Sequence, residues 1–269
     1  MIFALIRGYS GTQKYHYLKI IFRNLYIKRA NYKRKLKYDL ILFHEGNVNR
    51  IDQILIKLLS ANFKIKFVYV REFFQIPKNV LVTKTGNNSL GYEMMCVFHY
   101  LRVWTYLEEY DVAIRIDDDC LVRDLPSLRK DQIFCSAAVS DETHAETRKT
   151  LPIFLKQLGD GAFYDDRFPY TNVYITRVSF WLRDDVQEYL LNFFMNQYSI
   201  INRWGDLPII GVTLKKYGAW NYESDILDNF AYMHLSHSSV VENGEIQLVQ
   251  NNRSKLFQIT ARNLVKWSK

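Results

Sequence analysis

Long apolar runs are missing from this chain. No stretch of about 18 apolar residues occurs, so no transmembrane helix is expected. Cysteine is scarce: Cys96, Cys120 and Cys135 are odd in number and lack metal-ligand spacing. That argues against a disulfide framework and against a structural zinc site, and favours reduced, buried thiols in a cytoplasmic setting. The opening residues 1–7 are apolar but short, with no basic leader region and no small-residue cleavage site, so they read as a first strand and not as a signal peptide. Internal repeats, low-complexity tracts and linker-like segments are also absent, which points to one domain across residues 1–269.

What is present supports a sizeable core. The chain is 48% hydrophobic, with 19 Tyr and 17 Phe, and charge is moderate enough to make disorder unexpected. The net charge of +8 suits an anionic partner: a nucleotide, a phospholipid surface or a nucleic acid. The basic residues are scattered and lie in no aromatic platform motif, which argues against nucleic acid.

Apolar strands alternate with helical patterns. Strands are expected at residues 2–7, 38–43 and 64–70, and helices at 13–30 and 48–61, the second carrying Ile51, Ile54, Leu55, Leu58 and Leu59 at helical spacing. Gly86-Asn87-Asn88-Ser89 breaks the chain before a helix over about 90–108, which feeds a strand at 111–116. Further strands are expected at 134–139 and 171–176, and helices at 144–158, 180–198, 207–216 and 252–267. A short strand or loop spans 228–235, and Asn243-Gly244 signals a hairpin. The βαβαβ rhythm predicts an α/β fold with a mostly parallel central sheet flanked by helices.

Asp117-Asp118-Asp119 closes the 111–116 strand. Adjacent carboxylates at the end of a buried strand repel one another and are costly to desolvate, and a hard divalent cation removes that cost. In open α/β sheets ligands gather at such carboxyl ends. Along extended backbone the first and third carboxylates would share a side, ready to bridge a metal to a diphosphate. The plainer alternative is an acidic turn capping a helix. Arg203-Trp204-Gly205-Asp206 sets a cation, an aromatic and a carboxylate at a helix entrance. Asp206 there is either an N-cap or the acceptor of a hydrogen bond from a substrate hydroxyl, with Trp204 packing on a sugar face. Tyr232-Met233-His234 offers a late imidazole as a further metal ligand.

Gly91-Tyr92-Glu93-Met94-Met95-Cys96, Tyr110 through Asp119, Tyr170-Thr171-Asn172, Arg203-Trp204-Gly205-Asp206-Leu207-Pro208 and Tyr232-Met233-His234 occur in one order. That order resembles the fungal Golgi α-mannosyltransferases of glycosyltransferase family 15, whose pattern reads G/S-Y-x-x-M-C, Y-x-x-x-W-R-x-E-P-D, N-F-E-I, R-W-G-D-x-P and Y-x-H. The resemblance covers roughly residues 90–237, more than half the chain. It implies a GT-A fold, a nucleotide-binding half at 1–119, an acceptor-binding half at 120–269, and mannose transfer from GDP-mannose with Mn²⁺ (or Mg²⁺). By position it assigns the metal to Asp117, Asp119 and His234. It matches Arg7 to a basic position near the nucleotide, where Tyr9, Asp117 and Arg203 are further candidates, and it assigns catalysis to Tyr92, Asp206 and the position held by Tyr174. Expected partners are a nucleotide sugar and a glycan or lipid-linked acceptor; the basic segment 28–37 reads either as a solvated helix end and loop or as a peripheral contact with an anionic membrane.

Two departures bear on chemistry. The family glutamate in N-F-E-I falls on Tyr174, and a phenol replaces a carboxylate nucleophile only with a strongly lowered pKa, so the anomeric outcome stays open. E-P-D is replaced by the more generic D-D-D. The rival reading is a metal-dependent nuclease or nucleotidyltransferase built on the same carboxylates. Two-metal chemistry wants further acids converging on the site, and Asp141, Glu142, Asp165 and Asp166 lie in no recognisable pattern.

Overall fold

A computed structural model of the chain describes residues 1–6, 20–28 (except 22 and 26), 38–60, 63–74, 90–141, 144–195, 197–237 and 239–248. The expectations for Gly86-Asn87-Asn88-Ser89, for the basic stretch 29–37, for a C-terminal helix at 252–267 and for most of the 13–30 helix lie outside these residues.

Among the described residues twelve strands form three sheets. The first strand, β1 (Ile2–Ile6), is buried at all five positions. A strand covered on both faces reads as a continuous apolar run, as β1 does throughout and β2 (Asp39–His44) does from Leu40 to Phe43. β3 (Lys64–Tyr69) pairs with β2 on one side only and exposes Lys64 and Lys66, as edge strands do to discourage further pairing. β4 (Val112–Ile116) completes a parallel block, order β3-β2-β1-β4. Beyond it β9 (Val173–Arg177) runs antiparallel, and β6 (Phe134–Ser136) pairs antiparallel with β9. The fold class is therefore the expected one, a mostly parallel sheet flanked by helices.

Alternation splits the core between the two faces of this sheet. Phe3, Phe43, Phe134 and Tyr174 pack with Trp104 and Trp181, whose rings stack at 4.7 Å. Ile2, Ala4, Ile6, Leu40 and Leu42 pack on the opposite face. The helix Arg50–Leu59 is capped by Asn49, whose side chain accepts from the Asp52 amide at 2.8 Å. Its expected apolar stripe does not face the core: Ile51, Ile54, Leu58 and Leu59 are exposed, and Ile56 is the buried residue.

Two expected helices are interrupted. Leu90–Val97 is α-helical, then widens to a π turn at Phe98–Arg102 and tightens to a 3₁₀ turn at Val103–Tyr106. There the Trp104 indole donates to the Tyr100 carbonyl at 3.0 Å and draws it from the regular ladder. The 180–198 segment splits into Val178–Trp181 and Asp184–Met195, the Trp181 carbonyl being taken by the Gln187 side chain.

A second sheet, built of β5 (Cys120–Val122), β10 (Ala231–His234), β11 (Ser239–Glu242) and β12 (Glu245–Leu248) in the order β12-β11-β10-β5, is antiparallel throughout. β11 (Ser239–Glu242) and β12 (Glu245–Leu248) are joined by Asn243 and Gly244 at φ 51° and 85°, the paired left-handed geometry for which Asn-Gly is suited. β5 (Cys120–Val122) and the short pair β7 (Val139–Asp141) and β8 (Arg167–Pro169) are additions to the expected strands.

Gly211, in the helix Asp206–Lys216, lies against the Phe168 ring of β8. A Cβ at this position would meet ring Cδ1 well inside van der Waals contact and Cγ at 3.0 Å. Gly211→Ala should therefore destabilise the protein by about 1–3 kcal/mol despite the helix propensity it gains. The midpoint of urea unfolding checks this, and an unchanged or raised midpoint would show that Phe168 yields freely.

Candidate functional site

The acidic triplet is where the chain leaves the six-stranded sheet. The Cys120 amide donates to the Asp117 carbonyl at 3.0 Å, so residues 117–120 form a turn and not extended backbone. The expected alternation does not apply, and Asp117 and Asp119 enter different surroundings. After the turn, β5 pairs antiparallel with β10 (Ala231–His234), and the register sets His234 opposite Cys120. The Leu235 amide donates to the Asp119 carbonyl at 3.1 Å and continues the ladder. Strand pairing thus carries a histidine from late in the chain to the triplet.

Asp119, Cys120 and His234 bring their ligand atoms within 4.8 Å of one another, a grouping that could hold a metal ion. His234 Nε2 lies 3.3 Å from Asp119 Oδ1, and the Ser236 amide donates to Asp119 Oδ2 at 3.1 Å. Burial pushes the Asp119 carboxyl up, but hydrogen bonding and charge from His234, with the Ser236 bonds, outweigh it and hold the group well below the usual range. Burial pushes the Cys120 thiol far upward, so it stays protonated at neutral pH. Asp119 offers a carboxylate oxygen and His234 an imidazole nitrogen, with the Cys120 sulfur beside them, a mixed donor set that can take a divalent cation. Behind His234, Nδ1 meets the Tyr170 hydroxyl at 3.2 Å, and that hydroxyl also meets His237 Nδ1 at 3.1 Å. Such a partner fixes the ring's orientation toward a metal.

Asp117 belongs to a second, adjoining cluster. Its Oδ1 accepts from Arg115 Nε at 2.8 Å, and its Oδ2 from Asn172 Nδ2 at 3.1 Å. Arg115 extends its other arm to Asp206 Oδ2 at 2.5 Å. The guanidinium is 3% exposed, and the two carboxylates raise its pKa further against the opposing effect of burial. Arg115 thus ties the triplet to the residue assigned to the acceptor. Asp206 is the first residue of its helix, whose cap is Gly205, so the N-cap alternative does not hold.

Trp204 is 1% exposed, packs on Phe154, Phe193 and Tyr198, and donates its indole N–H to Thr150. It cannot lie on a sugar face, and the expectation that it would is corrected: the aromatic in this motif belongs to the core. Arg203, beside it, adopts a left-handed φ of 56°, with its carbonyl accepting from Thr147 at 3.2 Å. Tyr92 places its hydroxyl 3.9 Å from where a Cβ on Gly205 would stand, next to Asp206. Tyr174 faces Arg115 across the β4–β9 pairing and is fully buried. Burial pushes its phenol well up, so it stays protonated at neutral pH. Arg7 and Tyr9 lie outside the described residues.

Several members of these clusters were given no role by sequence reasoning: Arg115, Asn172, Tyr170 and Ser236. Arg115 had a signal, being a cation inside the apolar strand β4, where a buried charge needs partners.

No protein-family model and no curated protein matches the chain. In three dimensions it is similar to core-mannan synthase A (CmsA/Ktr4) from Aspergillus fumigatus in its Mn/GDP form. The identity is 13% and the TM-score 0.65, over 87% of this chain and 73% of that one. It is similar also to the mannosyltransferase Ktr4p from S. cerevisiae, at 13% identity and TM-score 0.66, over 87% of this chain and 69% of that one. Likenesses at this identity establish the fold: the chain has the GT-A architecture of these glycosyltransferases.

Proposed function

We propose that this protein is a metal-dependent glycosyltransferase that moves a sugar from a nucleotide donor to a glycan or lipid-linked acceptor, with mannose from GDP-mannose as the first donor. The observation that carries this reading is the Asp119–His234 pair, held at the carboxyl end of β4 by the β5–β10 register. The similar A. fumigatus enzyme was solved in a Mn/GDP form, and Ktr4p in complex with GDP, which supports the same ligands here. The triplet then serves as a D-x-D motif in a pathway of glycan synthesis.

Asp119 and His234 would hold Mn²⁺ (or Mg²⁺), which supplies charge neutralisation at the departing diphosphate, worth several kcal/mol. Arg7, Tyr9 and Arg203 are the residues we assign to the nucleotide, with residues 1–119 as its half of the domain and 120–269 as the acceptor half. Asp117 acts through Arg115, which fixes Asp206. Asp206 orients or deprotonates the acceptor hydroxyl, and Tyr92 stands beside it on the same wall. The transition state is oxocarbenium-like, as in other glycosyl transfers. The protonated phenol of Tyr174 supports Arg115 and takes no part as a nucleophile.

Melting temperature in a panel of GDP-, UDP-, dTDP- and CMP-sugars with Mn²⁺ tests the donor. A ligand at a hundred times its Kd stabilises by about 2.7 kcal/mol, so GDP-mannose should raise the transition by several degrees in a metal-dependent way. A rise with another nucleotide sugar alone would reassign the donor, and no rise with any would overturn the reading. No helix among the described residues is long and apolar enough to cross a membrane. Contact with a lipid-linked acceptor would fall to the basic segment 28–37. Co-sedimentation with anionic liposomes at low salt is the expected result, and its failure would reject the membrane contact.

A further inference from the structure

The helix Arg50–Leu59 turns its apolar stripe away from the protein. Ile51, Ile54, Leu58 and Leu59 are 69%, 50%, 68% and 51% exposed, and Leu55 lies between them half-buried. At about 100° per residue these positions fill an arc of about 140°. The other side holds the helix in place. Ile56 is fully buried, and the Ser60 hydroxyl at the C-cap accepts from Asn24 at 2.8 Å. With Asn49 capping the first turn, both ends are fixed, so the stripe is a built face and not a frayed end.

Single exposed apolar side chains need no explanation, whereas a contiguous patch marks a contact. Two observations say with what. The first is size. A helix of ten residues is about 15 Å long, and one face of it falls far short of the roughly 800 Å² per partner that a stable protein interface buries. The second is charge. Arg50 and Lys57 are exposed and border the stripe on one flank, the Lys57 Nζ 5.6 Å from the Phe67 ring centroid, and the chain carries a net charge of +8. The helix's acid, Asp52, lies on the opposite flank, half-buried. An apolar stripe edged by cations, whose stems lie along it while their heads stay in water, fits a helix lying in an anionic membrane surface.

We propose that this face docks on an anionic lipid surface, with Ile51, Ile54, Leu58 and Leu59 entering the boundary between headgroups and acyl chains. The docking needs nothing from the transfer reading; only its purpose, bringing a lipid-linked acceptor within reach, rests on it. The helix follows β2 at the carboxyl edge of the parallel block, so its first turn lies toward the end of the sheet where β4 delivers the triplet. Apolar insertion and a charge contact by segment 28–37 differ in salt dependence, because screening weakens the second and spares the first.

Vesicle binding and a placed fluorophore test the face. The wild type should co-sediment with phosphatidylcholine–phosphatidylserine vesicles, and part of that binding should survive high salt. Ile54→Ser combined with Leu58→Ser should lower partitioning by roughly ten- to a hundredfold, with an unchanged unfolding midpoint since both positions are exposed. The native cysteines are buried, so a polarity-sensitive fluorophore attaches selectively to Leu58→Cys. It should brighten and shift to the blue with vesicles. The same label on Met195→Cys, exposed on a helix that packs on the opposite face of the sheet, should not. Binding at low salt that the double variant leaves intact assigns the contact to segment 28–37 and overturns the proposal for this face, and no binding at all rejects both contacts. A lipid-free dimer that the double variant dissociates assigns the face to a second copy, and a label already shielded in dilute protein assigns it to the chain's own residues; either result overturns the proposal.

Discussion

Asp119→Ala and His234→Ala are each expected to reduce Mn²⁺-dependent turnover of the nucleotide sugar by roughly a hundred- to a thousandfold. The size follows from charge neutralisation worth several kcal/mol, at about 1.4 kcal/mol per factor of ten. The two side chains act on one ion, so the double variant should be little worse than either single one. Loss of fold is the confounding cause, because Asp119 also receives the Ser236 amide and faces His234. Asp119→Asn separates the two: it keeps the acceptor for Ser236 but offers the metal a neutral amide oxygen. It should melt close to the wild type and still be nearly inactive. Full activity in Asp119→Ala and His234→Ala, with both proteins folded, would sink the metal assignment.

The sheet and the triplet were legible for a simple reason. Strands buried on both faces read as apolar runs, as β1 and residues 40–43 of β2 do, and a parallel block needs helical crossovers between them. Asn243-Gly244 was legible because few other pairs tolerate two positive φ angles. Tertiary context set the rest. Nothing local marks β5 as a strand: its three residues gain that character by pairing with β10, and this register brings His234 to Asp119, a pairing that the family resemblance implied but no local pattern shows. The turn at 117–120 parted two carboxylates that alternation would have aligned, and gave one to an arginine. The stripe of Arg50–Leu59 misled in the other direction: periodicity says that a face exists, not that the core lies against it. Trp204 is the same lesson inside a motif, an aromatic whose packing with Phe154 and Phe193 takes it out of the site.

Arg115→Met is expected to destabilise the protein by about 3–5 kcal/mol at pH 7, the usual result of removing one partner from a buried ion pair. Methionine fills much of the same space, so the loss comes from Asp117 and Asp206, stranded as unpaired charges beneath the site. For a chain of this size that is roughly a 10 °C fall in Tm. The pH dependence identifies the cause. Burial already pushes the Asp117 carboxyl upward while Arg115 pulls it down, so without Arg115 its folded-state pKa rises further above the ordinary 3.8. A carboxyl with a raised folded pKa binds more protons folded than unfolded in the window between the two values, so stability increases as pH falls through that window. The deficit of Arg115→Met should therefore shrink from pH 7 to pH 4.5, and adding Asp117→Asn should shrink it at pH 7. A deficit that ignores both pH and Asp117→Asn would mean that packing, not charge, is what Arg115 supplies. Arg115→Lys keeps a cation but loses the fork that spans two carboxylates, and should fall between wild type and Met. Turnover should follow the fork more than the charge: a lysine can satisfy Asp117 or hold Asp206 in place, and catalysis needs both held at once.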